Sequence, residues 1–429
     1  MLGINIKEYL THLKLFSPNA KFYLGGTFFM GYATSILWML YNLYLKQLGF
    51  SEGMMGEIMF FQGLGTMIIA IPAAVAADHI RLKKVMIAAS LINATSFVLM
   101  TFVTEIKILY VIAMCAGAGW TVHFVVASPF FMRNSSEKER AHLFSVNYAL
   151  DWGAGLVGAL IGGYIPRILL NWDIPLVTGY RVSLLVGAAF AAMSVLFYMR
   201  VETPTAIKIG RVLWQKYLRA KDWQTTFRLC WPQILTGLGA GLVIPYLNIY
   251  FSNRFNLDSG SIGTIFSIGQ VFTVFGFLLG PVLVKKLGLV RVVSFSQIAS
   301  IPFFFILAFS FYLPPSIIAF WFRGSLMNMA WPLYNNFAME KVGDEYHAGT
   351  NSLLSLSWNI SWMFSTFAGG KLIEHYGFIP VMMVTIFIYA TVSSSILLFF
   401  RKDIDIGLVK KEKTQSKGKA AKRSGIVKP

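Results

Sequence analysis

The sequence is dominated by long apolar segments that alternate with short polar ones. A helix needs about 20 apolar residues to cross the hydrocarbon core of a bilayer. Twelve segments have this length, with predicted limits 20–45, 54–77, 85–104, 108–131, 143–166, 180–200, 227–252, 261–284, 292–313, 316–338, 349–373 and 378–400. None alternates with the two-residue period of a transmembrane β-strand. The sequence therefore predicts an all-α membrane protein with twelve transmembrane helices.

Positive charge is distributed unevenly between the two sets of loops. If the N-terminus is cytoplasmic, thirty of the 37 Lys and Arg residues fall in cytoplasmic segments. The opposite set of loops holds only Lys46, Lys107, Arg167, Arg181, Arg254 and Lys371. Because cytoplasmic loops of membrane proteins are enriched in Lys and Arg, we expect both termini to be cytoplasmic. We expect a cell (plasma) membrane location, and the net charge of +18 then favours contact with anionic lipid rather than with nucleic acid.

The second half of the chain repeats the first at a constant offset of 207 positions. The repeated pairs are Gly53/Gly260, Gly56/Gly263, Ile58/Ile265, Thr66/Thr273, Gly117/Gly324, Phe130/Phe337, Met132/Met339, Ala141/Ala348, Ser145/Ser352, Gly162/Gly369 and Gly163/Gly370. Such a repeat predicts two six-helix halves related by a pseudo-two-fold axis along the membrane normal. The predicted organisation is a cytoplasmic N-terminus (1–19), an N-terminal half (20–200), a cytoplasmic central loop (201–226), a C-terminal half (227–400) and a basic cytoplasmic tail (401–429).

The predicted loop between the second and third helices carries one carboxylate and then a basic cluster. It resembles the signature loop of the major facilitator superfamily, which reads Gly, three residues, Asp, then Arg, any residue, Gly and a basic run. The corresponding positions here are Ala74, Asp78, His79, Arg81, Lys83 and Lys84. The resemblance implies the fold predicted above and a gating role for Asp78, Arg81, Lys83 and Lys84, together with Arg133 and Arg140 after the fourth helix. Asp78 would then face the start of the eleventh helix when the cytoplasmic side is closed.

A second resemblance lies in the fifth predicted helix. The run from Gly158 to Gly163 is similar to the antiporter motif Gly-Pro-x-x-Gly-Gly of the same superfamily, with Ala159 at the proline position. This pattern is closest to that of twelve-helix drug or metabolite:proton antiporters. The alternative is that the glycines serve only close helix packing.

Two charged residues fall well inside predicted spans. Asp151 lies in the fifth helix and Arg323 in the tenth. Burying a charge in a bilayer costs about 2.5–3.5 kcal/mol on insertion scales. A charged residue inside a span therefore usually has a functional role, and we expect one for each of these two residues. We expect Asp151 to carry a proton and Arg323 to pair with an anionic substrate group or with Asp151. The alternative is a permanent buried ion pair or hydrogen-bonded network that holds the bundle together.

In the superfamily, helices 1, 4, 7 and 10 line a central cavity and helices 2, 5, 8 and 11 flank it. The aromatic and polar residues that the resemblance places on these helices are Trp38, Tyr41, Asn42, Trp120, His123, Asn147, Tyr246, Asn248, Asn328, Trp331, Asn335, Trp358 and Asn359. Aromatic walls with a few amides suit an amphipathic organic molecule. The alternative is that many of them only pack or face lipid, and that His123 is a hydrogen-bonded structural residue.

The sequence contains no P-loop, no Gly-x-Ser-x-Gly and no His-Glu-x-x-His motif. We therefore expect no enzyme activity, no cofactor and no metal site. The prediction is a monomeric secondary transporter that moves a small organic solute by alternating access, most simply as proton-coupled efflux. One alternative is uptake of an organic anion or sugar-like solute by symport or facilitated diffusion. Another is a non-transporting membrane sensor on the same fold.

Overall fold

The computed structural model describes residues 16–79, 81–135, 137–202, 223–343 and 346–401. Within these ranges the chain forms twelve helical spans, which confirms the predicted number. They are α1 (Pro18–Gln47), α2 (Glu52–His79), α3 (Leu82–Phe102), α4 (Ile106–Asn134), α5 (Glu137–Leu170), α6 (Leu176–Met199), α7a (Trp223–Val243) continued by α7b (Leu247–Phe255), α8 (Ser259–Leu287), α9 (Leu289–Phe309), α10 (Leu313–Lys341), α11 (His347–Tyr376) and α12 (Phe378–Phe399). The central part of the predicted loop at 201–226 and the tail beyond residue 401 lie outside the described residues.

Nine of the helical spans in the described part of the chain are long and apolar enough to cross a membrane. The three less apolar spans are α1, α10 and α11. These three helices carry most of the polar and aromatic residues that were predicted to line a cavity. Intramembrane polar groups avoid lipid and face the interior of a helix bundle or a water-filled cavity. The lower hydropathy of these helices is therefore consistent with an interior position.

The helices repeat with the period found in the sequence. Helices α2, α3 and α4 begin at residues 52, 82 and 106, and α8, α9 and α10 begin at residues 259, 289 and 313. Each pair is separated by 207 residues. The two sequence halves therefore share one order of helices, as predicted.

The seventh span is interrupted near its predicted outer end. A 3₁₀ turn from Ile244 to Tyr246 separates α7a from α7b. Pro245 has no backbone N–H and cannot donate to the carbonyl of the preceding helical turn, which weakens the α-helix at the point where the 3₁₀ turn replaces it. The interruption changes the direction of nearby carbonyl groups, and the Pro245 carbonyl becomes an acceptor for a side chain of another helix.

The described residues pack into two compact units. The first contains α1 to α6 together with residues 240–271 and 359–381, and the second contains the start of α7a, residues 272–358 and α12 from residue 382. The predicted halves at 20–200 and 227–400 follow the sequence repeat instead. The difference arises because one end of α7, α8 and α11 packs against the first half of the chain.

In the first unit, α1 packs against α5 and α6, and α2 packs against α4. Helices α2 and α4 approach most closely at two glycines. A Cβ atom on Gly117 would overlap the carbonyl oxygen of Gln62, and one on Gly65 would overlap the carbonyl oxygen of Met114. The Thr66 hydroxyl donates to the Gly117 carbonyl at 3.2 Å. Small residues let membrane helices approach to backbone contact, which replaces the hydrophobic driving force that lipid does not provide.

In the second unit, α9 packs along α10. Its core contains Leu229, Val293, Ala338 and Ile396, which come from α7a, α9, α10 and α12. Four helices of the second half therefore share one buried cluster.

We expect Gly117→Ala to lower the thermal unfolding temperature in detergent, whereas Gly153→Ala should leave it unchanged or raise it. The new methyl group at position 117 forces α2 and α4 apart, and overpacking of this kind costs about 1–3 kcal/mol. Gly153 has no atom within 4 Å of the equivalent Cβ position, so the same change there meets no obstacle. Equal unfolding temperatures for the two variants would contradict this account of the α2–α4 crossing.

Candidate functional site

At the predicted outer end, α1 contacts the broken part of α7 through two buried asparagines, all within the first unit. The Asn42 amide donates to the Pro245 carbonyl at 2.8 Å, and the Asn248 amide donates to the Met39 carbonyl at 2.8 Å. The two asparagines lie 206 residues apart, as do the two acceptors, so the bonds form a reciprocal pair one residue short of the 207-residue offset of the sequence repeat. Each such buried bond contributes about 0.5–1.5 kcal/mol net. We call the contacts of α1, α2 and α5 with α7b, α8 and α11 the outer seal.

The outer seal continues between α5 and α8 and between α2 and α11. A Cβ atom on Gly163 would overlap the carbonyl oxygen of Ser259, and one on Gly370 would overlap the carbonyl oxygen of Glu52. The Ser259 hydroxyl also donates to the Gly163 carbonyl at 2.8 Å. Both members of the second contact are displaced by 207 residues from those of the first. The repeated glycines therefore mark the closest helix approaches of the outer seal.

A second pair of repeat-related contacts lies one helical turn deeper. A Cβ atom on Gly263 would overlap the Ala159 carbonyl oxygen, and one on Gly56 would come within 2.9 Å of the Thr366 carbonyl oxygen. The buried Tyr246 hydroxyl donates to the same Thr366 carbonyl at 2.6 Å. Helix α8 therefore packs against a backbone carbonyl of α5, and α2 packs against a backbone carbonyl of α11.

The α2–α11 side of the seal contains an ion pair. Lys371 Nζ lies 2.6 Å from Glu57 Oε1, and the Tyr110 hydroxyl donates to the same carboxylate. The repeat-related positions on the α5–α8 side are Tyr164 and Thr264, whose hydroxyls lie 3.3 Å apart. Equivalent positions in the two halves therefore pack in the same way, but one pair carries opposite charges and the other carries two hydroxyl groups.

The α5–α8 side has its own ion pair at the rim. Arg167 Nη1 lies 3.7 Å from Asp258 Oδ2, and both side chains are about half exposed. Asp258 also accepts hydrogen bonds from the Gly260 and Ser261 backbone N–H groups and from the Ser261 hydroxyl, at 2.8, 3.0 and 2.9 Å. Because the pair is exposed, it contributes no more than about 1 kcal/mol.

Asp151 lies in the middle of α5 and is half-buried inside the first unit. Its Oδ1 atom rests against α1, 2.8 Å from the position that a Cβ atom on Gly31 would take. The carboxylate interacts electrostatically with the phenols of Tyr23 and Tyr198. Asn147 lies one turn earlier on α5, and among the described residues its buried Oδ1 has no hydrogen-bond partner.

His123 is buried between α1 and α6. The Tyr198 hydroxyl lies 3.3 Å from its Nδ1 and 3.4 Å from its Nε2. The Tyr23 ring lies parallel to the imidazole with centroids 6.4 Å apart, and the half-buried Trp120 ring lies at the same distance. The predicted residues His123 and Trp120 are thus part of an aromatic and polar cluster inside the first unit.

Trp38 and Tyr41 line a small cavity between α1 and α2. Its volume is about 40 Å³, and its other walls are Leu37, Asn42, Met55, Ile58, Met59, Gln62 and Met100. Trp38 is 51% exposed and its ring lies 6.4 Å from Trp362. The buried Tyr41 hydroxyl has no hydrogen-bond partner in the described part of the chain. A cavity of this volume has room for about one water molecule, whereas a drug-sized ligand needs several hundred Å³.

Arg323 is buried in the second unit and only 5% exposed. Its guanidinium carbon lies 5.1 Å from the centroid of the Phe304 ring on α9, and Tyr389 on α12 interacts with it electrostatically. Among described residues the guanidinium has no ion-pair partner, and its Nε has no hydrogen-bond partner. A cation–π contact is worth about 0.5–2 kcal/mol, less than the several kcal/mol that burial of a charge costs.

The other predicted cavity residues of α10 and α11 are at least partly accessible. Trp331 is exposed, and its ring meets Trp358 edge to face with centroids 4.9 Å apart. Asn328 is exposed and donates to the Gly324 carbonyl of its own helix at 2.9 Å. Asn335 is half-buried and Asn359 is exposed.

The predicted gating loop is described only in part. Arg81 and Lys84 are exposed, and Lys83 is half-buried. The side chains of Asp78, Arg133 and Arg140 lie outside the described residues. Their gating role therefore stays a prediction.

The structure also assigns contacts to residues that the sequence did not single out. Ser259 and Lys371 occupy positions offset by 207 from Glu52 and Tyr164, so the repeat could have identified them as parts of the outer seal. Tyr23 and Tyr198 gave no such signal. Aromatic residues near the ends of membrane helices are common at the lipid interface, and the sequence does not distinguish these two from that class.

The family model described as Major Facilitator Superfamily matches residues 23–231 and again residues 229–428. A point mutant of the nucleoside transporter NupG superposes with a TM-score of 0.76 at 14% identity, covering 90% of this chain and 100% of that chain. A bacterial homolog of the human lysosomal transporter Spinster, in an inward-facing and unoccupied conformation, gives 0.71 at 13% identity, covering 90% and 97%. No curated protein gives a sequence match. At these identities, the structural similarities show the fold alone.

We expect Gly370→Leu to hold the outer seal open, because a side chain at this position meets the Glu52 carbonyl and the Tyr246 hydroxyl. The reporter is a cysteine introduced by Ser259→Cys, at a position that is 2% exposed. Cys115→Ser and Cys230→Ser remove the native thiols. An overpacking cost of about 1–3 kcal/mol raises the rate of maleimide labelling by roughly 5- to 140-fold. Gly153→Leu, whose Cβ atom meets nothing within 4 Å, is the control, and equal labelling of the two variants would be inconsistent with the seal.

Asp258 gives a pH dependence with a defined sign. Burial raises the pKa of its carboxyl, but the hydrogen bonds from Ser261 and Gly260 and the Arg167 charge together lower it below its ordinary value. The contact is therefore present at neutral pH and is lost only as the pH falls through the lowered pKa. With a cysteine introduced by Thr366→Cys as reporter, its labelling rate relative to that of an exposed cysteine at the same pH should not change between about pH 8 and 5. Asp258→Asn should raise it throughout that range, whereas Asp173→Asn in the neighbouring loop should not.

Proposed function

The chain belongs to the major facilitator superfamily, and on that basis we propose that it exchanges protons for a small organic solute by alternating access. As a multi-pass transporter of this superfamily it is not an enzyme. The observation that carries the proposal of proton coupling is Asp151, a carboxylate in the middle of a membrane span with no ion-pair partner among described residues. We also propose a monomer in the plasma membrane with both termini in the cytoplasm.

Asp151 meets the physical requirements of a proton carrier. It lies 14 residues into α5, or about 21 Å from the start of the helix. Without a cation nearby, an ionised carboxylate at this depth is costly and a protonated one is not. Its half-buried side chain is still accessible enough to exchange a proton. A conformational change that alters its exposure therefore alters its proton occupancy, which is the basis of coupling.

The outer seal supports alternating access. Its contacts join α1, α2 and α5 of the first sequence half to α7b, α8 and α11 of the second. They are short hydrogen bonds and glycine contacts, each of modest strength. Opening a path from the predicted outer side requires these contacts to separate together. Their small individual energies favour a seal that opens and closes reversibly.

The α5 glycines support an efflux direction through their resemblance to the antiporter motif. Gly158 packs against the Tyr32 carbonyl of α1, Gly162 packs against Ile36, and Gly163 packs against α8. The motif-like segment therefore lies between α1 of the first sequence half and α8 of the second. We propose that this segment is a moving contact in the antiport cycle.

Arg323 favours a second candidate function, uptake of an organic anion. A buried guanidinium without a described carboxylate partner is an attractive site for an anionic group of a substrate. Its position over Phe304 also suits a structural role in which the ring stabilises the cation. The nucleoside transporter among the structural neighbours is consistent with an organic solute.

Proteoliposomes with an imposed pH gradient test the proposal. The probes are radiolabelled uridine, benzoate and ethidium, which represent a neutral, an anionic and a cationic organic solute. We expect gradient-driven flux of at least one of them, and Asp151→Asn should abolish the response to the gradient while substrate exchange remains. Asp173→Asn, which changes an exposed loop carboxylate, is the matched control.

Full gradient-driven accumulation by Asp151→Asn would show that the proton site lies elsewhere. Arg323→Gln in the same vesicles should reduce flux of benzoate and spare the other probes if Arg323 binds an anion. Equal loss for all probes would indicate the structural role. Probe binding without any flux would favour a membrane sensor.

A further inference from the structure

The small cavity between α1 and α2 is lined by a buried hydroxyl that has no hydrogen-bond partner in the described part of the chain. We propose that this cavity is a specificity subsite that receives one uncharged hydroxyl group of the transported solute, while a flat ring of the same solute lies against Trp38. The inference rests on the transport function proposed above. It deepens that function by naming the class of substrate, a neutral ring compound that carries a hydroxyl group.

Tyr41 carries the hydroxyl in question. Its side chain lies on the cavity wall and is only 6% exposed, yet among the described residues its hydroxyl makes no hydrogen bond. Leaving a buried polar group unpaired is unfavourable, so buried hydroxyls nearly always bond to protein or to water. Tyr44 on the same helix follows this rule and donates to the Thr101 carbonyl at 2.6 Å. The Tyr41 hydroxyl therefore faces a position for a group that the protein itself does not supply.

The size of the cavity limits what enters it. Its volume of about 40 Å³ has room for about one water molecule, and a hydroxyl group is of similar size. Three of the nine described residues that line it are methionines, namely Met55, Met59 and Met100. Their flexible thioether side chains adjust to groups of slightly different shape. One small substituent of a solute therefore fits, and the rest of the molecule stays outside.

The chemistry of the wall selects an uncharged group. Among the described residues that line the cavity there is no Lys, Arg, His, Asp or Glu. An ion that entered would lose its hydration and meet no opposite charge, which is strongly unfavourable. The polar side chains of the wall are those of Trp38, Tyr41, Asn42 and Gln62. Because a hydroxyl both donates and accepts, it is suited to bond to the Tyr41 hydroxyl and to the Gln62 carboxamide together.

The mouth of the cavity lies at Trp38. This side chain is 51% exposed, whereas the other described lining residues are buried or half-buried. The Trp38 ring lies 6.4 Å from the Trp362 ring of α11, and both residues belong to the first unit. Aromatic rings interact favourably with centroids about 4.5–7 Å apart. A ring attached to the buried hydroxyl group therefore meets an accessible indole beside the mouth.

The cavity also borders the outer seal. Asn42 lines it and at the same time donates to the Pro245 carbonyl at 2.8 Å. A hydroxyl group in the cavity therefore lies beside a residue that holds the seal closed. A ligand stabilises the conformation that it binds more tightly, so a solute that needs Asn42 in this position favours the closed seal.

Fluorine NMR of the full-length protein in lipid nanodiscs tests the inference without a pH gradient. The protein carries 5-fluorotryptophan, and the Trp38 signal is identified by its loss in Trp38→Phe. The probes are two water-soluble pairs, 3-hydroxypyridine with pyridine and uridine with 2′,3′-dideoxyuridine, in which the second member lacks hydroxyl groups of the first. We expect a saturable shift of the Trp38 signal. In at least one pair, the affinity for the hydroxylated member should be about tenfold higher.

Tyr41→Phe should reduce this affinity ratio to about one, and Gln62→Leu should lower it as well. Tyr41→Phe removes a hydroxyl without a described partner, so the unfolding temperature should stay unchanged or rise. This variant therefore keeps the test valid if Gln62→Leu fails to fold. Tyr44→Phe is the matched control, because Tyr44 is a buried tyrosine of the same helix whose hydroxyl bonds to Thr101, and it should keep the ratio.

Equal affinities within both pairs, or no saturable shift of the Trp38 signal with either, would overturn the inference. An unchanged ratio in Tyr41→Phe would do so too, because the hydroxyl group would then be recognised elsewhere. If Asp151→Asn abolishes gradient-driven flux while Tyr41→Phe leaves the ratio unchanged, the proposed proton coupling stands and the cavity is not a substrate subsite. A ratio that depends on Tyr41 without flux of any probe would support the subsite and contradict the transport function.

Discussion

The contact between the two sequence halves at the predicted outer end depends on backbone carbonyl oxygens. Inside a bilayer no water is present to satisfy polar backbone groups, so a break in a helix needs a partner from the protein. The break at Pro245 exposes a carbonyl that Asn42 satisfies, and Asn248 makes the reciprocal bond to α1. The repeated glycines let other helices reach carbonyl oxygens directly. The outer seal therefore consists mainly of short neutral contacts, with ion pairs toward its rim.

The sequence predicted the twelve spans and the repeat because both follow from local composition and spacing. It did not predict the break in α7, which was read as one span at 227–252, because a single proline is tolerated in many membrane helices. Tyr246 and Asn248 are buried in the outer seal, and Asn42 both bonds across the seal and lines the small cavity beside Trp38, so their place in a substrate cavity stays a prediction. Periodicity places a polar residue on an interior face of a helix, but it does not identify the group that this face meets.

The two intramembrane charges illustrate the same limit. The cost of burial identified Asp151 and Arg323 from sequence alone. Their surroundings differ in a way that the sequence did not reveal. Asp151 lies against α1 and interacts electrostatically with two buried phenols, whereas Arg323 lies over Phe304. The neighbours of Asp151 come from α1 and α6, so only the fold brings them together.

The repeat constrains packing more strictly than chemistry. Gly163 and Gly370 are equivalent positions of the repeat. Each must be a glycine because a helix backbone of the other sequence half comes within contact distance of it. The position equivalent to Asp151 is Trp358, and the position equivalent to His123 is Ala330. A symmetric movement requires matching contacts on both sides of the pseudo-two-fold axis, whereas a single proton site is sufficient for coupling. A symmetric movement therefore needs the glycines in pairs, while the ionisable groups need to be present in only one half.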